Sequence, residues 1–154
     1  MLLGERDIID YLAGLFGNYK VGYLLTGSFA GSYWGHPRAT HDIDFLVEFK
    51  KGQTKNILSF LKNLEPEFMV DLGSAKLALK RNGRVNILHP ETTVKIDFWV
   101  AKDNEFENLK FKHKIKVKLF DQYVYIVSAE DLVLTKLLWN KQIYFERHMR
   151  DCVG

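Results

Sequence analysis

The chain has 154 residues, a length that builds one domain around one sizeable core. Hydrophobic residues are 47% and charged residues 27%, which excludes a disordered, collagen-like or disulfide-stapled chain. The single cysteine, Cys152, cannot form an internal disulfide, so a reducing, cytoplasmic setting is expected. Lys and Arg number 22 against 19 Asp and Glu, and a net charge of +3 permits a polyanionic partner without requiring one.

Charges at Glu5, Arg6 and Asp7 precede any apolar run, so a secretory leader is not expected. The longest uncharged stretch, from Val21 to Gly35, carries four glycines and is too short and broken to cross a bilayer, so no membrane is expected. Ile8, Leu12, Leu15 and Phe16 predict a first helix that ends near Gly17-Asn18. Val21 to Thr26 reads as a buried strand, and Gly27-Ser28 opens a short helix that ends near Gly35-His36-Pro37. Asp42 to Phe49 alternates as a strand with Ile43, Phe45 and Val47 on one face. Ile57, Phe60, Leu61 and Leu64 predict another helix, and Ser74 to Arg81 a short one.

Val85 to Leu88 and Val94 to Val100 predict two strands joined at His89-Pro90. Ile115 to Leu119 and Tyr123 to Val127 predict a second pair, turned at Asp121-Gln122. Ser128-Ala129-Glu130-Asp131 resembles a capping box and starts a long helix through about Trp139. Glu146 to Gly154 reads as the opening of a further helix that stops early, so a truncated end is expected. Helices and strands interleave around one mixed sheet, which gives an α/β (α+β) class and a single domain over residues 1–154.

Three acidic positions carry the chemistry. Asp42 and Asp44 lie two apart on one strand, so both carboxylates leave the same face, with Cα atoms about 6.6 Å apart. That spacing lets their oxygens close on one divalent ion, or on two ions about 4 Å apart. Asp97 interrupts the apolar strand Val94 to Val100, where a carboxylate is expensive unless paired or bound to metal. If its strand lies beside that of Asp42, the three converge. In Leu24-Leu25-Thr26-Gly27-Ser28 a strand ends, glycine turns and serine begins a helix, whose unpaired N–H groups suit a phosphate. A phosphate cradle beside a metal clamp equips a chain for phosphoryl or nucleotidyl transfer.

Gly27-Ser28, then Asp42-Ile43-Asp44, then the lone Asp97 together resemble the polymerase-β-type nucleotidyltransferase superfamily. The string Gly27-Ser28-Phe29-Ala30 with Gly35-His36-Pro37-Arg38-Ala39-Thr40-His41-Asp42-Ile43-Asp44 is similar to its AbiEii-type branch, known from bacterial toxin–antitoxin and phage-defence systems. Ser128 to Leu137 is similar to that branch's helix with an active-site lysine, and Arg147 to Asp151 to its final motif. The family's helix continues where this chain stops. The resemblance implies Mg²⁺ or Mn²⁺ held by Asp42, Asp44 and Asp97, with Asp97 helping to deprotonate the acceptor hydroxyl. It implies an NTP whose phosphates are held by Gly27 and Ser28, with Lys136 reaching a phosphate and Asp151 supporting that site. It further implies an RNA acceptor, tRNA among the candidates, and a cognate antitoxin protein as partner. Nucleotidylation of a small molecule or protein, and an inert binding or regulatory role, are the alternatives.

Plainer roles stand beside these. Asp42 and Asp44 could line a solvated strand edge, and Asp97 could pair with Lys95 or Arg84. Gly27-Ser28 could simply begin a capped helix, and Lys136 could snorkel among Leu134, Leu137, Leu138 and Trp139. Asp151 could be a surface aspartate near Arg147, and Arg38 could touch a phosphate or brace its loop. The five histidines have no metal-ligand spacing, so neither a zinc site nor a Cys–His nucleophile is expected. Lys110, Lys112, Lys114, Lys116 and Lys118 alternate with Phe111, His113, Ile115, Val117 and Leu119. On an extended strand they would share one face about 27 Å long, either a track for a nucleic-acid backbone or a lysine-guarded edge.

Overall fold

The computed structural model describes residues 2–35, 42–50, 52–64 and 66–153, and of 143–145, 148 and 151–153 only the backbone. Elements follow in the order α1 (Glu5–Asn18), β1 (Gly22–Thr26), α2 (Gly27–Trp34), β2 (Asp42–Glu48), α3 (Thr54–Lys62), β3 (Met69–Val70), α4 (Leu72–Arg81), β4 (Arg84–His89), β5 (Val94–Val100), α5 (Glu105–His113), β6 (Ile115–Leu119), β7 (Gln122–Ile126) and α6 (Ala129–Val153). Among the described residues the strands form one mixed sheet, ordered β3-β4-β5-β2-β1-β7-β6. β2 runs parallel to β5 and antiparallel to β1, while β1 runs parallel to β7. The chain is therefore α/β with helices packed on a mixed sheet, as its periodicities predict.

Strand alternation divides the central strands cleanly. In β2, Ile43, Phe45 and Val47 are fully buried, while Asp42 and Asp44 take the opposite face. In β5, Val94, Ile96, Phe98 and Val100 are buried, while Lys95, Asp97 and Trp99 take the opposite face. On the core side Phe16 of α1 is the hub. Its ring centroid lies 5.3 Å from both Phe45 and Phe98, 5.2 Å from Phe60 of α3 and 4.7 Å from Tyr23 of β1. Edge and stacked contacts of this kind add to the burial of the rings themselves, so the floor beneath the aspartates is a packed aromatic layer.

α1 forms because Ile8, Ile9, Leu12, Ala13 and Phe16 recur on one face, with Glu5 and Asp7 complementing the dipole of its first turn. α4 starts two residues earlier than Ser74, because Asp71 caps it by accepting from the N–H groups of Gly73 and Ser74. Ser128 caps α6 through Asp131 N–H, as its motif predicts. α6 then runs unbroken to Val153, so the helix expected to end near Trp139 and the one expected to open at Glu146 are one element. The hairpin turn falls on Phe120-Asp121, since Gln122 already begins β7. No helix among the described residues is long and apolar enough to cross a membrane.

The five-lysine strand does not exist. Lys110 and Lys112 sit in α5, Lys114 ends it, and only Lys116 and Lys118 lie on β6. The cause is a helix signal that outweighs the alternation. Asn104 accepts from Glu107 N–H, Glu105 and Glu107 occupy the first turn, and Lys110, Lys112 and His113 occupy the last. Lys110 is buried, with Nζ 3.1 Å from Glu107 and over the Phe106 ring. β6 is the outermost strand, so Lys116 and Lys118 guard a sheet edge.

Candidate active site

Register brings the predicted residues together. Thr26 pairs with Asp44 across β1–β2, Asp44 with Asp97 across β2–β5, and Asn86 with Asp97 across β4–β5. These four residues form one rung across the open face of the sheet. Adjacent strands lie about 4.8 Å apart, so Asp44 and Asp97 are immediate neighbours, with Asp42 one pleat along.

The electrostatics are those of crowded, part-buried carboxylates. Burial pushes the Asp44 carboxyl above its ordinary range, and the charge of Asp42 adds to this. A hydrogen bond from Trp99 and the charge of Arg84 oppose it. Trp99 Nε1 donates to Asp44 Oδ1 at 3.1 Å. Asp97 is also raised, chiefly by burial and further by Asp44 and Asp42, against the pull of Arg84 and Lys95. Arg84 Nη1 stands 4.0 Å from Asp97 Oδ2, the loose pairing foreseen as a structural alternative for this aspartate. Its guanidinium also lies 5.1 Å above the Trp99 ring.

The Gly27–Ser28 turn abuts this rung. Gly27 has φ +69°, and a side chain there would stand 2.9 Å from both Cβ and Cγ of Asp44. Only glycine lets β1 hand over to α2 beside that carboxylate. Thr26 makes no side-chain cap, and the first N–H groups of α2, with Ser28 among them, lack intrahelical acceptors. Gly31 is one helical turn beyond Gly27 on the same face. A Cβ on Gly31 would sit 3.3 Å from Lys136 Nζ, so α6 lays its lysine over the helix that starts at the Gly27–Ser28 turn. Lys136 is exposed, not buried among its leucine neighbours.

Arg38 lies outside the described residues, and of Asp151 only its place on α6 is described. Lys110 to Lys118 belong to α5 and the far edge strand, three strands from β2. Trp99, Gly31 and Asn86 were not singled out in the sequence. Trp99 was within reach, because it follows Asp97 by two residues and shares its face, whereas Asn86 and Gly31 become visible only through register and packing.

Among the described residues, no three His, Cys, Asp or Glu side chains gather into a metal cage. The donor set still fits Mg²⁺ or Mn²⁺. Two part-buried carboxylates repel each other on adjacent strands and a third lies one pleat away, an open shelf of hard oxygens. Mg²⁺ keeps several waters and shares its coordination with substrate phosphates, so it needs such a shelf and not a closed cage.

The backbone trace matches solved nucleotidyltransferase structures. The Thermotoga maritima protein TM1012, a candidate nucleotidyltransferase, is similar over 96% of this chain and 94% of its own, with TM-score 0.60 and 14% identity. The fold is the nucleotidyltransferase fold. Lincomycin-bound LnuA, a lincosamide antibiotic adenylyltransferase, is similar over 85% of both chains, with TM-score 0.58 and 17% identity. No family model and no curated protein matches the sequence. The nucleotidyltransferase fold thus carries, in this chain, an Asp42-x-Asp44 strand, a parallel Asp97 strand and a glycine turn in contact with Asp44.

Proposed function

We propose that this chain transfers a nucleotidyl group from an NTP to a hydroxyl acceptor, releasing pyrophosphate. The observation that carries the proposal is the rung Thr26–Asp44–Asp97, with Gly27 pressed against Asp44. Asp42, Asp44 and Asp97 would hold Mg²⁺ or Mn²⁺, which supplies positive charge to the triphosphate and the leaving pyrophosphate.

The chain's own groups do the rest. The N–H groups at the start of α2 and the Ser28 hydroxyl bind phosphate oxygens. Lys136 adds a cation one turn further along α2. Asp97, level with Asp44 and lining the neighbouring cleft, is placed to take the proton of the attacking hydroxyl. That hydroxyl oxygen forms a bond to the α-phosphorus as the bond to the pyrophosphate oxygen breaks.

A small-molecule acceptor is favoured over RNA. The lysine track that pointed to a nucleic-acid backbone is divided between a helix and an edge strand. The neighbour with a bound antibiotic modifies a small molecule. An AbiEii-type role with a cognate antitoxin rests on sequence resemblance alone. The test is incubation with each α-labelled NTP, Mg²⁺, total cellular RNA and a small-molecule extract, followed by separation of the labelled classes. Mg²⁺-dependent label on small molecules, lost in Asp44→Asn, supports the proposal. Absence of both NTP binding and transfer would remove it.

A further inference from the structure

A cleft of about 940 Å³ opens beside the carboxylates, within the range of roughly 300–1,000 Å³ typical of small-ligand sites. It begins at Asp42 and Asp97 and runs over β4 to the edge strand β3. It therefore lies on the opposite side of β2 from the Gly27–Ser28 turn, which belongs to β1 and α2. A donor nucleotide held at that turn and a molecule in this cleft would meet at the Asp44–Asp97 rung.

The lining has a definite chemistry. Met69, Val70 and Leu88 provide apolar surface, and Met69 is 60% exposed. Arg84, Lys95 and Asn86 provide polar groups on this wall, while the carboxylates of Asp42 and Asp97 stand at the mouth and Asp71 at the far end. The Asp71 carboxylate is already occupied at the N-terminus of α4, where it accepts from Gly73, Ser74 N–H and the Ser74 hydroxyl. Arg84 is 47% exposed and meets Asp97 only at 4.0 Å, while Trp99 holds its guanidinium plane in place. Such a fork can still present donors to a carboxylate or phosphate. Phe68, the aromatic ring in the lining, is buried and stacks on Tyr11 at 5.8 Å, so it offers no platform for a nucleobase.

We infer that this cleft is the acceptor site, and that it selects a small hydroxyl compound with an apolar body and an anionic group held by Arg84 and Lys95. This rests on the nucleotidyl-transfer proposal for the word acceptor and for the divalent ion that takes up Asp42 and Asp97; the apolar body and the Arg84 and Lys95 contacts rest on the cleft lining. With Asp42 and Asp97 taken up by a divalent ion and Asp71 by the start of α4, an ammonium group would meet Arg84 and Lys95, which disfavours a cationic acceptor.

A matched series tests it: 4-(hydroxymethyl)benzoate, 4-(hydroxymethyl)benzamide and 4-(aminomethyl)benzyl alcohol, titrated into the full chain by ligand-observed NMR, with Mg²⁺ present. The anion should bind roughly tenfold tighter than the cation, with the amide between them. The preference should fall to about twofold or less in Arg84→Gln/Lys95→Gln. Both side chains are at least partly exposed, so the variant should fold, and the ranking in the unmodified chain decides independently of it. Equal binding, preference for the cation, no binding by any of the three, or a preference that survives in the variant would overturn the inference. So would tighter binding of a short oligoribonucleotide that displaces the benzoate. NTP titration of the same samples separates the two proposals: an anion preference without NTP binding retains the cleft and removes the transferase, and the converse removes the cleft alone.

Discussion

Trp99 donates its indole N–H to Asp44 from the neighbouring strand, two residues beyond Asp97 on the same face. One side chain thus orients the carboxylate of β2, supports the Arg84 guanidinium and walls the rung on which both aspartates sit. Because the bond favours the charged form of Asp44, Trp99→Phe should raise that carboxyl further. The acid limb of the pH–rate profile should then move to higher pH, with little change on the alkaline side. An unmoved limb would show that Asp44 does not govern it.

Asp44→Asn should separate stability from activity. A carboxyl raised by burial and by Asp42 weakens the metal-free fold at pH values above its folded pKa, and this cost fades as pH falls toward the ordinary range. The substitution should therefore stabilise metal-free protein at neutral pH by about 1 kcal/mol, or ~2–4 °C in Tm. The gain should shrink on acidification. Transfer should fall by a factor of at least ~100, and the Tm increase that Mg²⁺ gives the parent chain should be lost. Thermal melts with EDTA and with Mg²⁺ measure all of this except the rate.

Gly27→Ala should damage both fold and site. Its backbone is left-handed and its new Cβ meets Asp44, so the cost should be about 1–3 kcal/mol, together with loss of NTP binding. A melt and an NTP titration on one sample suffice. Retained stability and retained binding would show that the turn can relax away from Asp44.

Gly31→Ala makes the opposite prediction for stability. Alanine in a helix interior is better than glycine by roughly 0.5–1 kcal/mol, and the neighbour it meets is the flexible tip of Lys136. The variant should be as stable as the parent or slightly more so, yet have a higher KM for NTP because Lys136 is displaced. Lys136→Met should reproduce the KM effect without the gain in stability. An unchanged KM in both would assign Lys136 to the surface.

At the sheet edge, Lys116→Gln/Lys118→Gln should aggregate more readily while binding NTP as before. Light scattering over time measures the first and a titration the second. A solubility equal to that of the parent chain would remove the edge-guarding role.

The site was legible where local pattern and long-range pairing agree. Asp42 and Asp44 must share a face on any strand, and Gly27-Ser28 must turn on any route from β1 to a helix. That Asp97 would stand level with Asp44 was conditional on β2 and β5 being neighbours, which no residue states and the register supplies. The lysine run misled because alternation persists through a helix whose caps decide its form. Asn104 and its acidic first turn were the signal, and they lay before the run. β3 has two residues, too few for any period to show.

The order of the sheet carries an evolutionary consequence. Asp44 and Asp97 stand on central strands whose undersides lock into Phe16, so a change in either strand must be answered in the aromatic layer beneath. Met69 and Val70 stand on a two-residue strand at the margin, bonded to β4 alone. Substitutions there meet few neighbours that must adjust. If the cleft is the acceptor site, the proposed reaction is held fast by the core while the choice of acceptor is free to drift, and a laboratory search for new acceptors should begin at β3 and leave β2 and β5 intact.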